Sequence, residues 1–300
     1  MNILPRQKQI EVIAALSEGL GIRATARITC VNRETVGKLA LQVGRGCAEL
    51  HDRLMVGIRV NRSKLDECWS FVAKKQRRIE RNEIFAKGDQ YVYVGIAGSQ
   101  KAIISYRVGK RDAENTDRFI RDLRERVIGY PEISTDGFHA YKPAIRDAFG
   151  PRASHGTIIK TLSVTDLRKD APQRYSPAAV VAVSREVISG DPEHISASYV
   201  EREHLSLRMS SKRFARLSNG FSKRLENHVA AVSLYVAHYN LCRVYEALRT
   251  TPAMALGIGD RPWTIGELID AALSAEPPLP TPTAPDRRRQ FRVIQGGKSD

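Results

Sequence analysis

Three strand-like segments in close succession constrain this fold more than any other feature of the sequence. They read KLDECWSFVAK, QYVYVGIAG and AIISYRVGK, and they are rich in the aromatic and β-branched residues that favour strands. Because they follow one another closely, we expect them to pair antiparallel. The next segments are an amphipathic helix capped by Asp112, a short strand PEISTDG that ends at Asp136, and a helix at FHAYKPAIRDAFG.

Two further strand-like runs, GTIIKTLSV and AAVVAVSREVISG, come before helices predicted at about 199–217 and 222–247. Three strands, a helix, a strand and then more helices indicate an α/β fold. We therefore predict a mixed-sheet domain over residues 62–250.

The first 50 residues read instead as three short helices. They cover PRQKQIEVIAALSEG, RATARITC and NRETVGKLALQVG, the last with Asn32 as its N-cap. A short helix, a tight turn and a second helix with a polar face are typical of an all-α helix-turn-helix domain, whose last helix enters the major groove. Arg33 and Lys38 are then candidate DNA-binding residues. The alternative is a helical packing module without a nucleic-acid role.

The remaining segments complete the predicted domain organisation. Residues 51–61 are interpreted as a linker and 251–274 as a C-terminal helical extension. Residues 275–300 are Pro-rich and then basic, a composition that buries too little apolar area to offset its ordering entropy, so we predict a disordered tail.

The charge balance bears on partners and location. With 48 Lys and Arg against 33 Asp and Glu, the formal net charge is +15, which favours nucleic acid over a membrane as the polyanionic partner. No apolar run approaches the roughly 20 residues that span a bilayer, and no signal-peptide core follows the N-terminus. The four cysteines are scattered, so neither a zinc site nor a disulfide framework is indicated. We expect a cytoplasmic, nucleoid-associated protein.

Three acidic residues, Asp66, Asp136 and Glu201, lie on separate predicted elements. Each has an ordinary structural explanation: a solvent-facing charge at a strand start, an Asp-Gly turn, and a capping box with Ser198. Together they match the need of two-metal phosphodiester chemistry for carboxylates that converge on one point. Hard Mg²⁺ prefers such oxygen ligands, and Mn²⁺ is possible. In a ribonuclease H-like fold, the first strand and a later one lie side by side at the sheet centre and a helix crosses their ends.

Helix geometry favours Glu201 over Glu203 as the third acid. Seven residues are nearly two turns, so Glu201 shares a helix face with Arg208, which could hold a phosphate. Glu203 lies about 200° around the same helix.

The blocks LDECWSFVAKK, STDGFHAY, SYVEREHLSLRM, RLSNGFSKRLENH and YNLCRVYEALRTTPAMALGI resemble DDE transposases of the insertion-sequence-one family. The resemblance covers roughly residues 5–270. It implies a ribonuclease H-like catalytic domain, Mg²⁺ dependence, and an enzyme that binds the terminal inverted repeats of an insertion element and transfers them to new DNA, with a homo-oligomer acting on double-stranded DNA. By motif, the catalytic and metal-binding triad is Asp66, Asp136 and Glu201, with Arg208 on the same helix.

The sequence departs from that family at three points. The N-terminal zinc-binding module common in the family has no cysteine set here, His204 replaces an asparagine, and Glu246 stands where lysine is usual. An inactive transposase relic and a helix-turn-helix regulator without catalysis therefore remain alternatives, as does a structure-specific nuclease on the same fold.

Overall fold

The computed structural model describes residues 3–83, 85–163, 180–195, 198–214 and 219–274 of the 300 in the chain. For residue 162 and residues 198–203, the description covers the backbone alone. The segment 275–300, predicted to be disordered, lies outside these ranges. Within them, no helix combines the length and the apolar character needed to cross a membrane.

The described chain has a mixed α/β fold. Its strands are β1 (Ile58–Arg59), β2 (Arg62–Val72), β3 (Gly88–Ala97), β4 (Ile103–Gly109), β5 (Val127–Ile128), β6 (Glu132–Asp136), β7 (His155–Leu162) and β8 (Val180–Ser189). Its α-helices are α1 (Arg6–Ser17), α2 (Ile22–Thr29), α3 (Arg33–Leu54), α4 (Ala113–Arg126), α5 (Tyr141–Phe149), α6 (Ser198–Ser210), α7 (Leu225–Ala237), α8 (Pro252–Ala255) and α9 (Ile265–Leu273).

Six of the strands form one mixed sheet in the order β4-β3-β2-β6-β7-β8. The antiparallel pairing predicted for the first three segments is confirmed, since β3 pairs antiparallel with both β2 and β4. On the other side of β2, β6 and then β7 run parallel to it, and β8 returns antiparallel to β7. This order, with β2 beside a later strand at the sheet centre, is consistent with a ribonuclease H-like arrangement.

The register between β2 and β6 determines which residues meet at the sheet centre. The two strands pair in parallel as far as Lys64 opposite Ser134. Side chains alternate between the two faces of the sheet along a strand, so residues two positions apart lie on the same face. Continuing the register by two residues therefore brings Asp66 level with Asp136, near the carboxyl end of β6.

Helices cover both faces of the sheet. On one face α4 packs on β4 and β3, and α5 packs against α4. On the other face α6 packs on β2 and β3, and α7 shares an apolar cluster with β2, β3 and β4. Asp112 caps α4 as predicted, because its Oδ1 accepts the N–H of Asn115 at 2.8 Å. The apolar side chains that α4 buries are Phe119, Ile120 and Leu123.

The third N-terminal helix is longer than predicted. Asn32 caps α3 as expected, through a 2.8 Å bond from the N–H of Glu34, but the helix continues to Leu54. It packs against α7 and α9, where a Cβ at Gly44 or Gly46 would overlap a carbonyl oxygen of the neighbouring helix. Glycines near the expected end of the helix thus allow close packing and do not stop it. The buried residues of α3 share one apolar core with the sheet and α4.

Two C-terminal helices are shorter than predicted. The α6 helix ends at Ser210 and α7 at Ala237, and α7 leads into a π-helical turn at His238–Cys242. In this turn the Asn240 amide donates to the carbonyl of Ile103 at 2.8 Å and accepts the Ile103 N–H at 3.0 Å. These hydrogen bonds tie the turn to β4, and hydrophobic periodicity along the sequence does not predict such a long-range contact.

Candidate metal centre

Three carboxylates cluster where β2 and β6 lie side by side. Asp66, Glu67 and Asp136 each offer one oxygen, and these oxygens lie within 4.8 Å of one another. Two of the three are aspartates singled out from the sequence, and their meeting follows from the parallel register of the strands. The donor set consists of carboxylate oxygens, the ligands that Mg²⁺ and Mn²⁺ prefer, so the residues fit a divalent ion.

Asp66 is the partly exposed member on β2, with 22% of its side chain accessible. Its Oδ1 accepts the backbone N–H of Glu67 at 2.8 Å, which fixes the rotation of the carboxylate. Its Oδ2 lies 3.5 Å from Nδ1 of His204 on α6. The carboxylate is therefore held between its own strand and the helix that crosses it.

Asp136 ends β6 and has two distinct oxygen environments. Its Oδ1 accepts the N–H of Phe138 at 2.9 Å, which is the local turn expected from the Asp-Gly sequence. Its Oδ2 instead accepts from Nη2 of Arg111 at 3.0 Å, and 36% of the side chain is exposed. The turn thus uses one oxygen and leaves the other directed at a cationic partner.

Glu67 is the member that sequence reasoning missed. Only 2% of its side chain is exposed, and Oε2 accepts from Nε of Arg111 at 3.1 Å. Burial, and then the charge of Asp136, raise the pKa of this carboxyl above its usual value. Its position two residues after the buried Leu65 was the available signal, because alternate residues on a central strand face the same side.

Tyr141 on α5 adds to the surroundings of Glu67. It is fully buried, and its pKa is raised well above the ordinary value by burial and then by the Glu67 charge. Both its hydroxyl and Oε1 of Glu67 are shielded from solvent. The face of the sheet that carries Glu67 is therefore tightly packed and poorly solvated.

The α6 helix contributes the other predicted residues. Its backbone packs on β2 and β3, but the side chain of Glu201 lies outside the described part, as does that of Glu203. Glu201 occupies the helical position one turn before His204, which contacts Asp66. Arg208 follows one turn after His204, and its Nε is buried with no hydrogen-bond partner among the described residues.

His204 stands where the family that the sequence resembles has an asparagine. Among the side chains of α6 that the structure describes, that of His204 contacts the acidic cluster. Its side chain is 7% exposed. Burial, and then the charge of Arg208, lower its pKa to about 3. The imidazole is therefore neutral near neutral pH and presents Asp66 with a polar group that carries no charge.

An open cleft of about 490 Å³ lies over the two aspartates. The residues that line it include Asp66, Arg111, Asp136, His139 and Lys160. Its lining thus combines carboxylates with cationic groups, as a site for a metal ion and a phosphate diester requires.

The predicted DNA-binding residues lie at the other end of the chain. Arg33 begins α3 and Lys38 follows within two turns, and both are exposed. The turn between α2 and α3 includes Cys30, whose φ of 56° is in the left-handed region. DNA binding by this surface remains a prediction.

Comparisons with known proteins add little to this geometry. No family model matches the chain, and no curated protein matches it. Among solved structures, one similar chain belongs to a structure titled "Crystal structure of a pre-cleavage Mos1 transpososome". It is 13% identical, the match covers 79% of this chain and 79% of that chain, and the TM-score is 0.21. A similarity this distant carries no argument, so the interpretation rests on strand order and side-chain geometry.

Proposed function

We propose that this protein is a DDE-type transposase, a metal-dependent enzyme that cleaves DNA at the ends of an insertion element and joins them to a target. The observation that carries the proposal is the meeting of Asp66 and Asp136 on neighbouring parallel strands of a sheet with ribonuclease H-like order. The sequence blocks that resemble insertion-sequence-one transposases support the same assignment, because they contain both aspartates and Glu201.

The proposed metal ligands are Asp66, Asp136 and Glu201. Mg²⁺ is the expected ion, with Mn²⁺ as a substitute, because all the donors are carboxylate oxygens. When bound, such ions lower the pKa of a water and stabilise the attacking and leaving oxygens of the phosphodiester. The backbone N–H groups of Glu67 and Phe138 donate hydrogen bonds that orient Asp66 and Asp136 before a metal binds. The rotamers of the two aspartates therefore need not be ordered during the reaction.

The cationic groups would bind the DNA strand. Lys160 lines the cleft, and Arg208 on α6 is proposed to hold a phosphate next to the cleaved bond. The neutral His204 supports Asp66 without adding a charge that would compete with the ligand. The net charge of +15 favours binding of the element ends and target along a longer surface, with a homo-oligomer assembling on the DNA in the cytoplasm.

The test is a cleavage and joining assay with the purified full-length protein. Linear DNA that carries the repeats flanking the coding sequence is incubated with Mg²⁺, and nicked and joined products are separated on gels. We expect both products, and none when EDTA replaces Mg²⁺ or when Asp136→Asn replaces the wild type. Specific binding without cleavage would contradict the enzymatic proposal and favour the inactive relic or the regulator.

A separate measurement tests the N-terminal surface. In the full-length protein, Arg33→Gln and Lys38→Gln should each reduce the slope of log affinity against log salt by about 0.9 if each residue neutralises one phosphate. The isolated segment 1–60 is unsuitable, because α3 buries Val43, Cys47 and Leu50 in the core shared with the sheet. Arg45→Gln is a suitable control, because Arg45 lies further along α3 and pairs with Glu226. An unchanged slope in both test variants would contradict DNA binding by this surface.

A further inference from the structure

Arg111 bridges two of the three clustered carboxylates. Its Nε donates to Oε2 of Glu67 at 3.1 Å, and its Nη2 donates to Oδ2 of Asp136 at 3.0 Å. The guanidinium also lies over the ring of Phe138, 4.1 Å from the ring centroid. Because different nitrogens make the two hydrogen bonds, the planar guanidinium holds both acids at once.

This bridge balances negative charge that solvent screens poorly at Glu67. Three carboxylates within 4.8 Å repel one another when ionised, and the Glu67 side chain is almost completely buried. A single guanidinium between Glu67 and Asp136 offsets part of this repulsion. A divalent ion bound by the same cluster would offset it in the same way.

We propose that Arg111 is a positioning residue that holds Glu67 and Asp136 in the metal-free protein and yields the Oδ2 atom of Asp136 to an incoming divalent ion. The inference rests on the metal site of the proposed function. The other oxygen of Asp136, Oδ1, already accepts the N–H of Phe138. Arg111 and the ion therefore compete for the same atom.

Two consequences follow from this competition. Arg111 stabilises the metal-free protein, since it relieves repulsion among the acids, and it weakens metal binding, since the ion must displace it from Asp136. Glu67 provides the second hydrogen bond, so Arg111 remains attached to the sheet when it releases Asp136. Glu67 then acts as the anchor of Arg111, which accounts for an acidic residue buried so completely at this position.

The experiment measures metal binding by the full-length protein without DNA. Mn²⁺ is titrated into wild type, Arg111→Gln and Arg121→Gln by calorimetry, and melting temperatures are recorded in EDTA and in saturating Mn²⁺. Arg121 is a matched control, because it is an exposed arginine on α4 paired with Asp117. We expect Arg111→Gln to bind Mn²⁺ about five- to tenfold more tightly than wild type, since a competing charge has been removed. In EDTA its melting temperature should be lower than that of the wild type. Most of this difference should disappear in saturating Mn²⁺, while Arg121→Gln behaves as wild type.

Equal or weaker Mn²⁺ binding by Arg111→Gln would overturn the proposal, and so would a loss of melting temperature that is the same with and without the ion. If circular dichroism shows that Arg111→Gln is unfolded, Arg111→Lys takes its place. It keeps the charge but lacks the planar fork, so Mn²⁺ binding should tighten by a smaller factor, and unchanged binding would overturn the proposal. A wild type that binds no Mn²⁺ would overturn the metal site itself. Normal wild-type binding with unchanged Arg111→Gln affinity overturns the role of Arg111 alone.

Discussion

Asp66 and Glu67 are neighbours on β2, yet the two faces of the sheet give them different partners. On the face covered by α6, Asp66 meets the neutral imidazole of His204. On the face covered by α4 and α5, Glu67 is buried beside Tyr141 and paired with Arg111. One carboxylate is supported by a group without charge, and the other is compensated by a cation. We infer that the first face is arranged to bind a ligand and the second to hold the site together.

The largest expected effect is the difference in cleavage activity between variants of the two aspartates and a variant of Glu67. Asp66→Asn and Asp136→Asn should each reduce cleavage by at least about a thousandfold, because each removes an anionic metal ligand, while folding and DNA binding persist. Glu67→Gln should retain most of the cleavage activity and change the unfolding free energy by no more than about 1 kcal/mol, since the weaker hydrogen bond to Arg111 is offset by the removal of a buried, repelled charge. Cleavage rates and urea denaturation measure the two quantities. Loss of cleavage in Glu67→Gln as complete as in the aspartate variants would remove the distinction between the faces.

The second prediction concerns Glu201, on the same helix as His204. Glu201→Gln keeps a group able to accept a capping hydrogen bond but loses an anionic oxygen. We expect cleavage and Mg²⁺-dependent thermal stabilisation to disappear, while the stability of the metal-free protein stays equal or rises as repulsion is relieved. Thermal melts with and without Mg²⁺, together with the cleavage assay, measure this.

Two variants of the same helix serve as controls. Ser198→Ala, at the residue where α6 begins, should cost no more than about 1 kcal/mol and leave cleavage intact. Glu203→Gln should change little, because helix geometry predicts a side chain that faces away from the site, and surface substitutions usually stay within about 0.5 kcal/mol. An active Glu201→Gln with an unchanged Mg²⁺ response would reduce Glu201 to a capping residue, and an essential Glu203 would refute the helix-face argument.

The smallest effect concerns the pH dependence that His204 introduces. Its pKa is about 3 in the folded protein and about 6.5 in the unfolded chain, so the folded state binds fewer protons between these values. Its contribution to stability is complete above pH 6.5 and is lost as the pH falls towards 3, with a slope of at most about 1.4 kcal/mol per pH unit. His204→Asn should therefore flatten the acid limb of a stability–pH curve measured by urea denaturation.

The flattening should be partial, because other buried histidines act in the same direction. Burial lowers the pKa of His51 and His228 to about 3 and that of His155 to about 4. His194→Gln offers a control substitution at a histidine whose side chain is exposed. An identical slope for His204→Asn and wild type would mean that His204 is not held neutral against Asp66.

Much of the fold could be predicted because its signals are local. The aromatic and β-branched runs correspond to β2, β3 and β4, and the cap at Asp112 marks the start of α4. Asp66 and Asp136 could be singled out as candidates because each lies in or at the end of a predicted strand. The length of α3 could not be predicted in this way, since Gly44 and Gly46 favour a helix end in isolation and permit close helix packing in the folded protein.

The sequence by itself determined the elements, the excess of positive charge and the acids that could meet. Only the tertiary structure decided which groups surround those acids. Arg111 reaches Glu67 and Asp136 across 44 and 25 positions of the chain, and His204 reaches Asp66 from a helix that follows the whole sheet. Periodicity and capping report on residues within a few positions of one another, whereas charge compensation at this site depends on the packing of helices against opposite faces of the sheet. For this reason Glu67 and Arg111 become part of one site only where the fold brings together β2, β6 and the segment before α4.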